Sequence, residues 1–186
     1  MKTEKTEQFC IMDAEKITPL SLRHYPDEIL KIPCEKVEVF DEDLEILVAN
    51  MFATMYMYNG IGLAANQIGV SKQIIVMDTT VSGQGRHVLI NPKILATHET
   101  FGRFQEGCLS FPGIHAFVKR PIEVLVEAQD QTGQIFSKLF TGIEAVCIQH
   151  EMDHLIGVTF YDHLSDVQKN LIKKKIKNLK DHGNMP

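Results

Sequence analysis

Nothing in this chain of 186 residues approaches the apolar run that a membrane span requires. The opening stretch, MKTEKTEQFCIMDAEK, has acidic side chains and no apolar segment of the secretory kind. It reads as a polar extension over residues 1–16, neither a leader nor a transit peptide. Positive charge is also in deficit: a net charge of −5 excludes a general nucleic-acid binder, DNA included. Four cysteines, Cys10, Cys34, Cys108 and Cys147, are too few and too scattered for a disulfide framework. A reducing, cytoplasmic setting fits them better, and there thiols pack, catalyse or bind metal. Repeats, low-complexity tracts and linkers are missing too, which leaves one domain. What is present is an ordinary globular composition, 44% hydrophobic and 23% charged, in a chain long enough to bury a core.

The periodicities predict a mixed fold. Over 41–60, DEDLEILVANMFATMYMYNG, acidic residues crowd the start and Leu44, Leu47, Val48, Met51, Met55 and Tyr58 recur at helical spacing, with Asn59-Gly60 as the stop. Four β-rich runs follow, at 73–78, 87–95, 122–130 and 134–140, with QDQTGQ as a hairpin turn between the last two. A second helix spans 141–156: Thr141 and Glu144 have capping-box spacing, and Gly157 ends it. A third, over 164–180, sets an apolar stripe of Leu164, Val167, Leu171, Ile172, Ile176 and Leu179 against six lysines. The expected class is α+β, antiparallel strands packed around the central helix, with one helix in the N-terminal half and a basic amphipathic helix at the C-terminus.

The central helix carries CIQHEMDHLIG. At about 100° per residue, Ile143, Val146, Cys147, His150 and His154 share one face. Two histidines one turn apart are spaced to grip one ion, and Glu151 lies roughly 100° around from His150, beside the ion, where a general base belongs. Inert core histidines are the competing reading, but that leaves the capping signature and the helical phase as coincidences. A catalytic site needs a third ligand and an open position. Cys147 is on the right face, but it sits roughly 10 Å along the axis from His154, too far for a short thiol whose bond to metal is about 2.3 Å. It reads as a small buried hydrophobe. Cys108 in EGCLSFPG, flanked by Gly107 and Pro112-Gly113, is the better third ligand.

A second segment, GIGLAANQIG at 60–69, imitates a dinucleotide fingerprint through Gly60, Gly62 and Ala65. That fingerprint needs a strand before it, and here a helix precedes. The alternative is that its glycines let a substrate backbone approach closely, with Gln67 as a neutral amide donor. A plain turn is the unremarkable reading.

These segments together resemble peptide deformylase. The family's motifs are G-φ-G-φ-A-A-x-Q, E-G-C-φ-S and Q-H-E-φ-D-H-φ-x-G, with φ apolar. Here they stand as Gly60-Ile-Gly-Leu-Ala-Ala-Asn-Gln67, Glu106-Gly-Cys-Leu-Ser110 and Gln149-His-Glu-Met-Asp-His-Leu-Ile-Gly157, complete and in order. The resemblance implies a metal-dependent domain over 17–165; the basic helix and tail over 166–186 lie beyond it. It implies hydrolysis of the N-formyl group from the initiator methionine of new polypeptides, with formate released. It further implies Fe²⁺, replaceable by Zn²⁺, Ni²⁺ or Co²⁺, held by Cys108, His150 and His154. Glu151 would be general base and acid, Gln67 and the Leu109 N–H would hold the oxyanion, and Gly62 would bond the substrate backbone. Glu106 and Arg120 occupy the positions of a supporting ion pair. Ile61, Ile143, Val146 and Cys147 are the apolar candidates for holding methionine. Where many members have arginine near the substrate's exit, this chain has His115.

The lysine face of the last helix is by default a solvated surface. Its livelier reading is contact with the ribosome, from which the substrate emerges. A monomer is expected. The competing functions are a zinc endopeptidase drawing His163 as third ligand and a binding module with a closed four-ligand site.

Overall fold

The computed structural model describes residues 17–80 and 85–182, so the extension assigned to 1–16 lies outside the described residues. Within them are seven strands and three α-helices. Helix α1 (Glu42–Met57) starts where Asp41 accepts a hydrogen bond from the Leu44 N–H at 3.1 Å and ends before Asn59, whose φ of 55° breaks the helical path. Strands β1 (Gly62–Ala64), β2 (Ile74–Asp78), β3 (Arg86–Thr97), β6 (Glu123–Gln129) and β7 (Ile135–Thr141) form an antiparallel sheet in the order β1-β2-β3-β6-β7. Strands β4 (Phe101–Gly107) and β5 (His115–Pro121) form a separate antiparallel pair.

Strand β2 shows why the layers stack. All five of its residues are buried, because alternate side chains serve opposite faces of the sheet. Ile75 and Met77 join Val124, Val126 and Phe140 against helix α2 (Gly142–Leu155), which supplies Ala145, Cys147, Ile148 and Leu155. Ile74 and Val76 turn the other way, onto Val48, Met51 and Met55 of α1. Helix α2 therefore lies between the five-stranded sheet and the β4–β5 pair, in contact with β1, β2, β7 and β5. The β6–β7 turn closes as expected: Asp130 accepts from the N–H groups of Thr132 and Gln134, and Gly133 takes φ 82°.

Three expectations are corrected. The Thr141–Glu144 capping box does not form. Thr141 makes no side-chain cap bond, and Glu144 is drawn instead to His87 at 3.2 Å and Lys138 at 3.7 Å. The stripe on helix α3 (Asp166–Asp181) is narrower than the six residues named. Ile172 and Ile176 are buried beside Leu164, with Leu179 packed against them. Val167 and Leu171, about 100° or more around the helix from Ile172, are 72% and 62% exposed. Finally, β4 and β5 fall where no strands were expected. Their alternation is real, but the buried positions include Glu106 and Arg120, with Gly102 and Ala116 half-buried, so no apolar rhythm announces them.

Gly157 fixes how the chain leaves α2. It has φ 74°, and a Cβ there would collide with the Lys31 carbonyl. Gly142 has φ 56° and open space around it. Alanine at either position carries a left-handed penalty of about 1–2 kcal/mol. Urea unfolding should show a clearly larger loss for Gly157→Ala than for Gly142→Ala; equal losses would contradict the close approach.

Candidate active site

Helix α2 presents its two imidazoles with ring centroids 5.1 Å apart. The loop leaving β4 brings Cys108 to them, its Sγ 3.2 Å from His154 Nε2. Ligand atoms of Cys108, His150 and His154 all lie within 4.8 Å of one another. A tetrahedral ion with bonds of about 2.1–2.3 Å spaces its ligands by roughly 3.5 Å, so one soft sulfur and two ring nitrogens at these separations fit a divalent cation. Cys147 is in α2's buried wall with its thiol at 3.5 Å from the Ile61 carbonyl, outside the cluster. His163 is also outside it, bonded to Asp153 at 2.7 Å, which removes the endopeptidase's third ligand.

A chain of charge fixes the first imidazole. His150 Nδ1 lies 2.8 Å from Glu106 Oε2, which leaves Nε2 as its free nitrogen. Arg120 reaches both Glu106 oxygens, at 2.8 and 3.0 Å, and sends Nη1 to Asp153 at 2.6 Å. Both members of the Glu106–Arg120 pair are about 95% buried. Burial opposes the charge of Glu106, but His150 and Arg120 outweigh it and hold the carboxyl below its usual range. Burial lowers the proton affinity of His150, yet Cys108 and Glu106 together raise it well above the ordinary imidazole value. His154 moves the opposite way, well below it, through burial and the charge of His150.

Glu151 is 4% exposed. Burial pushes its carboxyl up to about 7, with His150 opposing and Glu106 adding to the rise. Its Oε2 has no hydrogen-bond partner among the described residues. A buried carboxylate oxygen left without a partner is costly, and Glu151 lines the same cavity as Cys108 and His150. Gly62 is pressed against this group: a Cβ there would lie 2.6 Å from Glu151 Oε1 and from Cys147 Sγ. Gln67 is held at its oxygen by the Ala64 N–H, 2.8 Å, and aims Nε2 at Cys108 Sγ (3.4 Å) and Ser110 Oγ (3.2 Å).

A cavity of about 830 Å³ opens over these groups, walled by Ile61, Gly62, Gln67, Cys108, Leu109, His115, His150 and Glu151 among others. Val146 and Cys147 are buried outside that wall. Ile143 is 56% exposed and also outside it, since the buried residues of α2 begin at Ala145. Three supporting residues had no role assigned from the sequence. Asn66 is fully buried and donates to the His154 carbonyl at 2.7 Å. Ser110 accepts from Gln67, and Asp153 is the second anchor of Arg120. All three stand inside the motifs quoted above, Asn66 at the variable position before Gln67.

The polypeptide deformylase family profile matches residues 19–170. This chain belongs to the polypeptide deformylase family. It is 42% identical over 165 residues to a peptide deformylase of Azotobacter vinelandii, covering 88% of this chain and 98% of the relative. With one from Chromobacterium violaceum it shares 45% over 159 residues, 85% and 94% of the two chains. The crystal structure of a Legionella pneumophila peptide deformylase superposes with a TM-score of 0.84 at 38% identity, covering 91% of this chain and all of that one. The deformylase fold therefore accounts for nearly all the described residues.

If Glu106 orients His150, Glu106→Gln should weaken cation retention about 10–100-fold, the usual cost of losing such a partner. Chelator competition followed by elemental analysis measures this. Retention equal to the parent protein would remove Glu106 from the site's support.

Proposed function

We propose that this deformylase removes the formyl group from the initiator formyl-methionine of newly made polypeptides, with Cys108, His150 and His154 as the ligands of one divalent cation and Glu151 as the proton carrier. The observation that carries this is the convergence of those three donors beside a buried carboxylate whose Oε2 is unpartnered. The ion proposed is Fe²⁺, with Zn²⁺, Ni²⁺ or Co²⁺ able to substitute. When bound, it supplies Lewis acidity, making water acidic enough to attack an amide near neutral pH.

The chain's own residues do the rest. Glu151 Oε2 accepts the proton as oxygen adds to the formyl carbon, and returns it to the departing nitrogen. Gln67 Nε2, fixed by its own oxygen's bond to Ala64, donates to the negative oxygen that develops, together with the Leu109 N–H. One such donor lowers a barrier by about 3–4 kcal/mol. Gly62 meets the substrate backbone from a strand that its missing Cβ lets lie against Glu151 and Cys147. Methionine enters beside Ile61, with Cys147 and Val146 behind, and His115 meets the residues that follow.

The wider setting follows from the same reading. The proposed state is a monomer. No helix among the described residues is long and apolar enough to cross a membrane, and the proposed home is the cytoplasm, with no DNA partner. The outer face of α3 exposes Lys173, Lys174, Lys175, Lys177 and Lys180, a charge suited to ribosomal RNA.

Glu151→Gln should keep its cation and lose turnover of formyl-Met-Ala-Ser by several orders of magnitude; a formate assay with substantial activity left would remove Glu151 as proton carrier. Iron-loaded enzyme should lose activity on brief peroxide treatment, since thiolate and Fe²⁺ are both oxidisable. Unchanged specific activity would argue against the iron–cysteine pairing.

A further inference from the structure

The outer face of the β4–β5 pair has an arrangement that the reaction does not use. The register sets Arg103 directly opposite Lys119, so two cations share a rung of the same exposed face. Like charges in that position repel. No carboxylate lies within salt-bridge distance of either among the described residues. Each cation instead leans onto a diagonal phenyl ring: Arg103 over Phe117 at 5.3 Å, Lys119 over Phe101 at 5.0 Å. Those rings are themselves half exposed, 51% and 49%. Two unpaired cations and two large rings thus lie open to solvent in an otherwise acidic protein.

The face is continuous with the cavity. Gly107 pairs with His115 at one end of the hairpin, and both line the cavity wall. A Cβ on Gly107 would sit 2.8 Å from the His115 ring, so the imidazole lies flat over the strand at the cavity's mouth. Phe117 and Lys119 follow His115 on the same face at two-residue spacing. From His115 to Lys119 is about 13 Å, the reach of roughly four extended residues.

We propose that this face is a track for the downstream part of the substrate polypeptide, selecting chains that carry acidic side chains a few residues beyond the formyl-methionine. It rests on the reading that formyl-methionyl chains enter the cavity. An extended segment leaving past His115 meets Phe117 first, then Arg103 and Lys119 on one rung, then Phe101. Acidic side chains neutralise the opposed cations, and apolar ones cover the rings. Polypeptide is favoured over RNA as the occupant because the face begins at the substrate cavity and offers two cations rather than a long basic stripe.

The test uses full-length, metal-loaded enzyme and three substrates: formyl-Met-Ala-Ser, the same peptide extended by Glu-Phe-Asp, and its Lys-Phe-Lys counterpart. At low salt the acidic peptide should exceed the lysine peptide in kcat/KM by about fivefold, in keeping with two exposed charge pairs. Added salt should shrink the ratio. Arg103→Glu/Lys119→Glu should invert it and leave the tripeptide within about twofold of the parent. Equal rates for the two long peptides, or a preference that survives the double variant, would overturn the track. So would single-stranded RNA binding lost in the double variant without any peptide preference. Absence of tripeptide turnover in the parent enzyme, by contrast, would count against the reaction itself, and anisotropy of labelled, unformylated acidic peptide would still read the track.

Discussion

Glu106 accepts from Arg120 on both oxygens and meets His150 on one of them. That single buried carboxylate joins the strand that delivers the cysteine to the helix that delivers the imidazoles. Arg120 continues the linkage to Asp153, one residue before His154. A buried pair of this kind contributes little net stability against apolar replacements, but removing one partner strands a charge at a cost of about 3–5 kcal/mol. What it provides is position: β4, β5 and α2 cannot shift independently without breaking it.

The two sides of the site are built by different means. The sulfur side depends on polar anchors, with Gln67 and Ser110 bonded to each other under Cys108. The helical side depends on apolar packing, since Ile148, Cys147 and Ala145 seat α2 on the sheet while His150, Glu151 and His154 stay buried in the neighbouring turns. Burial raises the proton affinity of Glu151 and lowers that of His154. One desolvated environment therefore favours a carboxyl that can take a proton and an imidazole that stays neutral, which is the ligand form.

Much of this was readable in the residues because local patterns coincided with tertiary demand. α1 announces itself through its acidic start and helical spacing, and α2 through two histidines in helical phase. The β4–β5 pair escaped because its buried positions hold Glu106 and Arg120, charges that a periodicity search counts as exposed. Val167 and Leu171 were placed on the buried stripe because apolar character alone does not tell which arc of a short helix meets the core. Thr141 and Glu144 have capping spacing, yet a histidine and a lysine from β3 and β7 draw Glu144 away. Such competition from distant residues cannot be seen in a four-residue window. Asn66 and Asp153 make contacts that exist only after the loop, helix and strands have met.

The central claim is that one sulfur and two imidazole nitrogens surround a single cation. X-ray absorption at the metal edge, on anaerobically prepared protein, measures this most directly. The account predicts one sulfur at about 2.3 Å and two nitrogens at about 2.1 Å, the remaining scatterer being oxygen. A shell with no sulfur, or with a second sulfur in the open position, would contradict it.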